Sequence, residues 1–119
     1  MTYVSGFILP VATERRDEYV AFARQGWPHF ARHGALHMVE CWGEDVKEGH
    51  TTDFIRATRA TPDETVVFSW IVWPDRATAD AAEQAMQTDP AMAELREMPF
   101  DGTRMVFGGF VPVFDSGGA

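Results

Sequence analysis

Residues Thr65–Trp73 read Thr-Val-Val-Phe-Ser-Trp-Ile-Val-Trp, bounded by the turn Thr61-Pro62-Asp63-Glu64 and by Pro74. A run of this length, rich in β-branched and aromatic residues and closed by proline, predicts a strand. Side chains alternate along it, so Val66, Phe68, Trp70 and Val72 point one way and Val67, Ile71 and Trp73 the other. An antiparallel sheet with one wet face carries polar residues on that face. Here Val66, Phe68, Trp70 and Val72 leave one face wholly apolar, and on the other Thr65 and Ser69 are outweighed by Val67, Ile71 and Trp73, so whatever sheet contains this strand must be covered on both sides.

The rest of the chain supplies three more strands and two main helices. Tyr3–Val11 predicts a strand with Tyr3, Ser5, Phe7, Leu9 and Val11 on one face and Val4, Ile8 and Pro10 on the other. Gly6 marks a bulge or a close approach, and Pro10 suits the strand's end. Thr13 is placed to cap a helix that runs toward His33, with Val20, Ala23, Trp27, Phe30 and Ala31 as its apolar stripe and a kink at Pro28. Gly34 is a suitable residue to end it. Ala35–Gly43 predicts the second strand, Glu44–Asp53 a polar loop, and Phe54–Ala60 a short extra strand. Asp75 caps an alanine-rich helix through Gln87, Asp89-Pro90 opens a second short helix, and Thr103–Val113 forms the last strand, with Gly108-Gly109 as a bulge.

Strand, helix, strand, strand, helix, strand is the split β-α-β pattern of ferredoxin-like α+β domains. Right-handed crossovers then give an antiparallel sheet in the order 4-1-3-2 with both helices on one face. Two helices cover only that face. In the last strand Val106 and Phe110 oppose Met105, Phe107, Val111 and Val113, so both faces are apolar there too, and leaving the second face wet would expose several large side chains, each worth about 1.5–3 kcal/mol on full burial. A second copy of the sheet covers it most simply, giving a homodimer; the alternative is that segment 44–60 folds over it. The expectation is one domain over residues 1–115, followed by a flexible Ser116–Ala119 tail.

Charge narrows the partners. Ten basic against 18 acidic residues give a net −8 over 119 residues, which argues against nucleic acid and against an anionic membrane. No apolar run approaches the roughly 20 residues needed to cross a bilayer, and the first residues lack the basic start of a secretion signal. Cys41 is the single cysteine, so no internal disulfide forms, which fits a cytoplasmic protein.

Five motifs occur in order: Tyr3-Val4-x-Gly6-Phe7, His33-Gly34-Ala35, Glu40-Cys41-Trp42-Gly43, Thr65–Trp70, and Met98-Pro99-Phe100-Asp101-Gly102-x-Arg104-Met105. In these the chain resembles the bacterial family called domain of unknown function 1428. The resemblance implies a dimeric α/β barrel, in which two ferredoxin-like sheets face each other, and supplies no reaction.

Chemistry is sought among polar groups stranded in apolar strands. Glu40 shares a face with Leu36, Met38 and Trp42; a carboxylate there must be paired, hydrogen-bonded or protonated. It is either a general acid or base with a raised pKa, or one half of an ion pair with Arg104, Arg56 or Arg59. His37, on the opposite face with Val39 and Cys41, is a candidate proton shuttle or an ordinary edge histidine. Cys41 and His37 lie four strand residues apart, about 13 Å, which excludes them as a nucleophile and base. Arg104 either clamps a substrate carboxylate or ties its turn through Asp101. Trp42, Trp70 and Trp73 line an aromatic pocket or pack the core and dimer. The acidic loop with His50 matches no metal template, and the His29/His33 pair lacks a third ligand, so no metal is expected and no cofactor is named. Two functions remain: a homodimer binding a small molecule between sheet and helices, with cofactor-independent catalysis as its active form, or a non-catalytic interaction module with a packed interior.

Overall fold

The computed structural model describes residues 2–117; Gly118 and Ala119, half of the expected flexible tail, lie outside them. The strands are β1 (Tyr3–Ala12), β2 (His37–Trp42), β3 (Glu64–Trp73) and β4 (Val106–Phe110). The helices are α1 (Arg16–Arg32), α2 (Phe54–Thr58) and α3 (Arg76–Thr88). All four strands pair antiparallel in one sheet, in the order β2-β3-β1-β4, as the connection rules required.

Register fixes which side chains share a face. Ser69 lies opposite both Glu40 and Phe7, and Phe7 opposite Phe107. The face carrying these residues packs against α1 and α3. Its core is one cluster around Ala35, Ile71, Trp73, Ala79 and Ala82 and a second around Leu9, Val11, Tyr19 and Val67. Alanines at 79 and 82 let α3 approach Trp73 and Ile71 closely. Asp75 caps this helix by accepting from the Thr78 backbone N–H at 2.7 Å. Gly34 ends α1 at φ 105°, and a Cβ there would sit 2.6 Å from the Thr78 methyl, so glycine is needed both for its conformation and for the fit of the two helices.

Several local expectations are corrected. Residues 54–58 form a helical turn rather than a strand, because Asp53 caps it, accepting from the Arg56 N–H at 2.7 Å, and Arg59 closes it in the left-handed region. Thr13 caps nothing; it starts a 3-10 turn, and its hydroxyl meets that of Thr65 at 2.7 Å. Pro10 does not end β1, which continues to Ala12. Pairing with β4 already stops at Ile8, so the ring removes no bond from that side. Gly6, Gly108 and Gly109 sit in unbroken register rather than in bulges. Close ring approach explains them: a Cβ at Gly6 would meet the Phe110 ring at 3.4 Å, and one at Gly109 would lie 1.8 Å from the Tyr3 hydroxyl. The last strand is shorter than expected, since Gly102–Arg104 is a 3-10 turn and pairing ends at Phe110. The inward face of α1 is broader than the expected stripe: Trp27 and Phe30 pack against the core as expected, Tyr19, Gly26 and His29 beside them are the most deeply buried, and Val20 is exposed.

Candidate functional site

The helices do not reach the β4 edge. Phe107, on the helix-facing side, is 69% exposed. Between α3 and the β1–β4 half of the sheet lies a cleft of about 660 Å³, lined by Tyr3, Ser5, Phe7, Phe30, Trp73 and Phe107, with Arg76, Asp80 and Glu83 of α3 contributing to its wall. Its volume falls within the roughly 300–1,000 Å³ of small-molecule sites. The Trp73 indole N–H donates to Ser5 Oγ at 3.0 Å, holding both side chains at the cleft floor.

Glu40 occupies the same face, on the outer strand β2. The Tyr19 hydroxyl of α1 donates to its Oε1 at 2.6 Å. Glu40 is exposed as a residue, but partial desolvation of its carboxyl beside Tyr19 pushes its pKa up, while hydrogen bonds from Tyr19 and Ser69 oppose the rise. Burial, together with the neighbouring Glu40 charge, raises the Tyr19 phenol far above its ordinary value. Trp42 lies beside this pair, tilted against Tyr19 with ring centroids 6.5 Å apart, and the Arg16 guanidinium stands 5.9 Å over its ring. No cation meets Glu40 among the described residues. Arg56 is bound to Asp53, and Arg104 is engaged elsewhere.

Arg104 grips Glu64 with both ends of its fork, at 2.8 and 2.7 Å. It also donates to Asp101 at 3.0 Å and to the Arg59 carbonyl at 3.1 Å. One side chain thus joins the turn before β4, the end of α2 and the start of β3. The fork holds the Glu64 carboxyl down at about 2, and the Arg104 guanidinium is correspondingly raised.

The other sheet face is open. Val4, Ile8, Phe68, Trp70, Val72, Val106 and Phe110 line a shallow apolar concavity of about 670 Å³. Segment 44–60 covers only one end of it, where Phe54 of α2 sets its ring edge-on to Phe68 with centroids 6.1 Å apart. The register puts His37, Val39 and Cys41 on this side, with His37 exposed at the sheet edge.

The residues singled out from sequence are therefore dispersed. Glu40 and Trp42 meet through Tyr19, whereas Trp70 and His37 lie across the sheet and Arg104 serves a separate junction. Trp73 is the tryptophan at the cleft. Sequence reasoning missed Tyr19, Ser5 and Tyr3. Tyr19 was legible in the spacing Tyr19, Phe22, Gly26, His29, a helical stripe that runs alongside the one expected and widens the inward face. Ser5 and Tyr3 carried no signal beyond sharing Phe7's face. His29 is buried, bonded through Nε2 to Glu94 and accepting at Nδ1 from Arg32 at 3.0 Å. A ring nitrogen facing a guanidinium must accept, so the Nε2 proton is given to Glu94. Among the described residues no three His, Cys, Asp or Glu side chains converge to hold a metal, and no helix is long and apolar enough to cross a membrane.

An antiparallel four-stranded α+β protein with one helix-covered face, a cleft beneath α3 and an open apolar face is the class these features define. The chain belongs to the family described as protein of unknown function (DUF1428), whose model matches residues 2–102. It is 47% identical over 116 residues to the uncharacterized protein YbaA of Escherichia coli K12 and to that of Shigella flexneri, covering 97% of this chain and 99% of each relative.

Proposed function

We propose that the protein is a homodimer of ferredoxin-like domains, each residues 1–115, paired as a dimeric α/β barrel, and that each copy binds a small molecule in the cleft between α3 and the β1–β4 edge. The cleft carries the binding reading. The dimer is supported by surface arithmetic. The chain exposes 8144 Å², against about 6,450 Å² for a compact monomer of 13.3 kDa. Its radius of gyration is 15.0 Å, against about 13.5 Å for this length. The excess exceeds the roughly 800 Å² per partner of a standard interface. Beyond β4, Val111 and Pro112 belong to the rim of the open face, and Val113 and Phe114 are 95% and 84% exposed, positioned for a second copy to cover.

Glu40 and Tyr19 are the pair best suited to proton transfer, since the environment disfavours the charged form of each. They lie one side-chain row from the cleft, separated from Phe7 by Ser69, so catalysis is the secondary part of this reading. Arg104, His37 and Trp70 are read as a junction residue, an edge residue and dimer packing, and Trp42 as support for Tyr19. The lone cysteine and the acidic charge fit a cytoplasmic protein without nucleic-acid or membrane partners. A sealed, purely structural interior is the competing reading.

The test is native mass spectrometry of protein purified from a bacterial host. A dimer carrying a stoichiometric small-molecule adduct, lost when Glu83→Trp fills the cleft from an exposed helix position, supports the proposal. A monomer at micromolar concentration removes its first half. A bare dimer that no member of an aromatic fragment set stabilises thermally removes the second.

A further inference from the structure

We infer that the cleft recognises a flat, uncharged molecule bearing a carbonyl-type oxygen, and that the Ser5 hydroxyl is the donor that reads this oxygen. The inference rests on the cleft being a binding site and adds the chemistry of what enters it.

Three observations converge. The walls are aromatic: Tyr3, Phe7, Phe30, Trp73 and Phe107 present ring faces or edges to one space, which suits a planar apolar guest. Ser5 is polarised in one sense. An indole N–H can only donate, so its bond to Ser5 Oγ at 3.0 Å uses a Ser5 lone pair. The hydroxyl proton then has no acceptor among the described residues, and Ser5 lines the cleft. A guest that accepts a hydrogen bond satisfies it, whereas a purely hydrocarbon guest displaces water and leaves the donor unmet, which is costly.

Charge disfavours an anion. Of the described residues lining the cleft, Arg76 is the one cation, and its Nε lies 3.4 Å from Asp80 Oδ2. Glu83 adds an unopposed negative charge to the same wall. A guest carboxylate or phosphate would face net negative charge, and would have to compete with Asp80 for the one guanidinium in the wall. The oxygen that Ser5 reads is therefore a ketone, quinone, lactone or amide oxygen rather than an acid.

The experiment titrates full-length protein with 9-fluorenone, with fluorene, which has the same shape without the oxygen, and with 9-fluorenone-4-carboxylate. The readout is the indole N–H resonance of Trp73 in a nitrogen-15 correlation spectrum, assigned by its loss in Trp73→Phe. This proton reports on the Ser5 bond itself. Fluorenone is expected to shift the resonance and bind roughly three- to tenfold more tightly than fluorene. That advantage is expected to vanish in Ser5→Ala, and the carboxylate to bind more weakly than the ketone. Equal binding of fluorenone and fluorene overturns the role of Ser5 while leaving the cleft as a binding site. Tightest binding of the carboxylate overturns the charge argument against anions. If neither neutral probe moves the Trp73 resonance in a well-dispersed spectrum, the cleft reading fails and the inference falls with it. Should Ser5→Ala not fold, the comparison of the three probes on wild-type protein still decides.

Discussion

Replacing Glu64 with glutamine tests whether Arg104 serves the fold or a ligand. The carboxylate receives both ends of the Arg104 fork and the Thr61 backbone N–H at 2.9 Å, and these bonds hold its pKa at about 2 against an ordinary 4.5. A depressed carboxylate contributes stability that is fully present above the unfolded value and is lost as pH falls through the folded one. The gap bounds the contribution at about 3 kcal/mol. The side chains are 14% and 25% exposed, so water and salt reduce this to on the order of 1–2 kcal/mol. Urea unfolding of wild type and Glu64→Gln should therefore differ by that amount at pH 7, with the difference shrinking between pH 4.5 and 2. A variant as stable as wild type at pH 7, or a difference that does not change with pH, would refute the reasoning. Arg104 would then be free to serve something other than this junction.

Glu40→Gln keeps an oxygen for the Tyr19 hydroxyl and removes a charge that partial desolvation disfavours. A raised carboxyl pKa means stability is present at low pH and lost as pH rises through the folded value. The variant should match wild type at pH 4 and melt at the same or higher temperature at pH 8. Tyr19→Phe should do the opposite, losing about 1–2 kcal/mol at pH 8 because the carboxylate loses its donor; an unchanged melt would remove the pair's significance. Phe68→Asp, on the open face, should halve the mass measured by light scattering from about twice 13.3 kDa, and a chain ending at Pro112 should dissociate at higher concentration than the full chain. Gly109→Ala should lower the melting temperature, since the new methyl would overlap the Tyr3 hydroxyl; the loss should be largely recovered when Tyr3→Ala is added, and failure of that rescue would point to another cause.

The sequence by itself determined the sheet. Alternation in Thr65–Trp73 and Tyr3–Val11, with the order of elements between them, was enough for four antiparallel strands, their order and the shared face of Glu40 and Trp42; which face meets the helices came from the tertiary structure. These properties depend on a period of two and on connection handedness, both local to the chain. It also showed that one apolar face would remain without cover. What it did not carry was the partner of each polar side chain. Glu40 was legible as a stranded carboxylate. That a phenol from α1 meets it, while Arg104 goes to Glu64, depends on how α1 is set down on the sheet and on the path of segment 44–60. Those are settled by packing between elements distant in sequence. The cleft arises the same way: two helices span less width than four strands, and the uncovered strip falls over Ser5 and Gly109 because the helices do not reach the β4 edge. No pattern within a single element encodes such a gap; it is the space left over when the tertiary structure has closed.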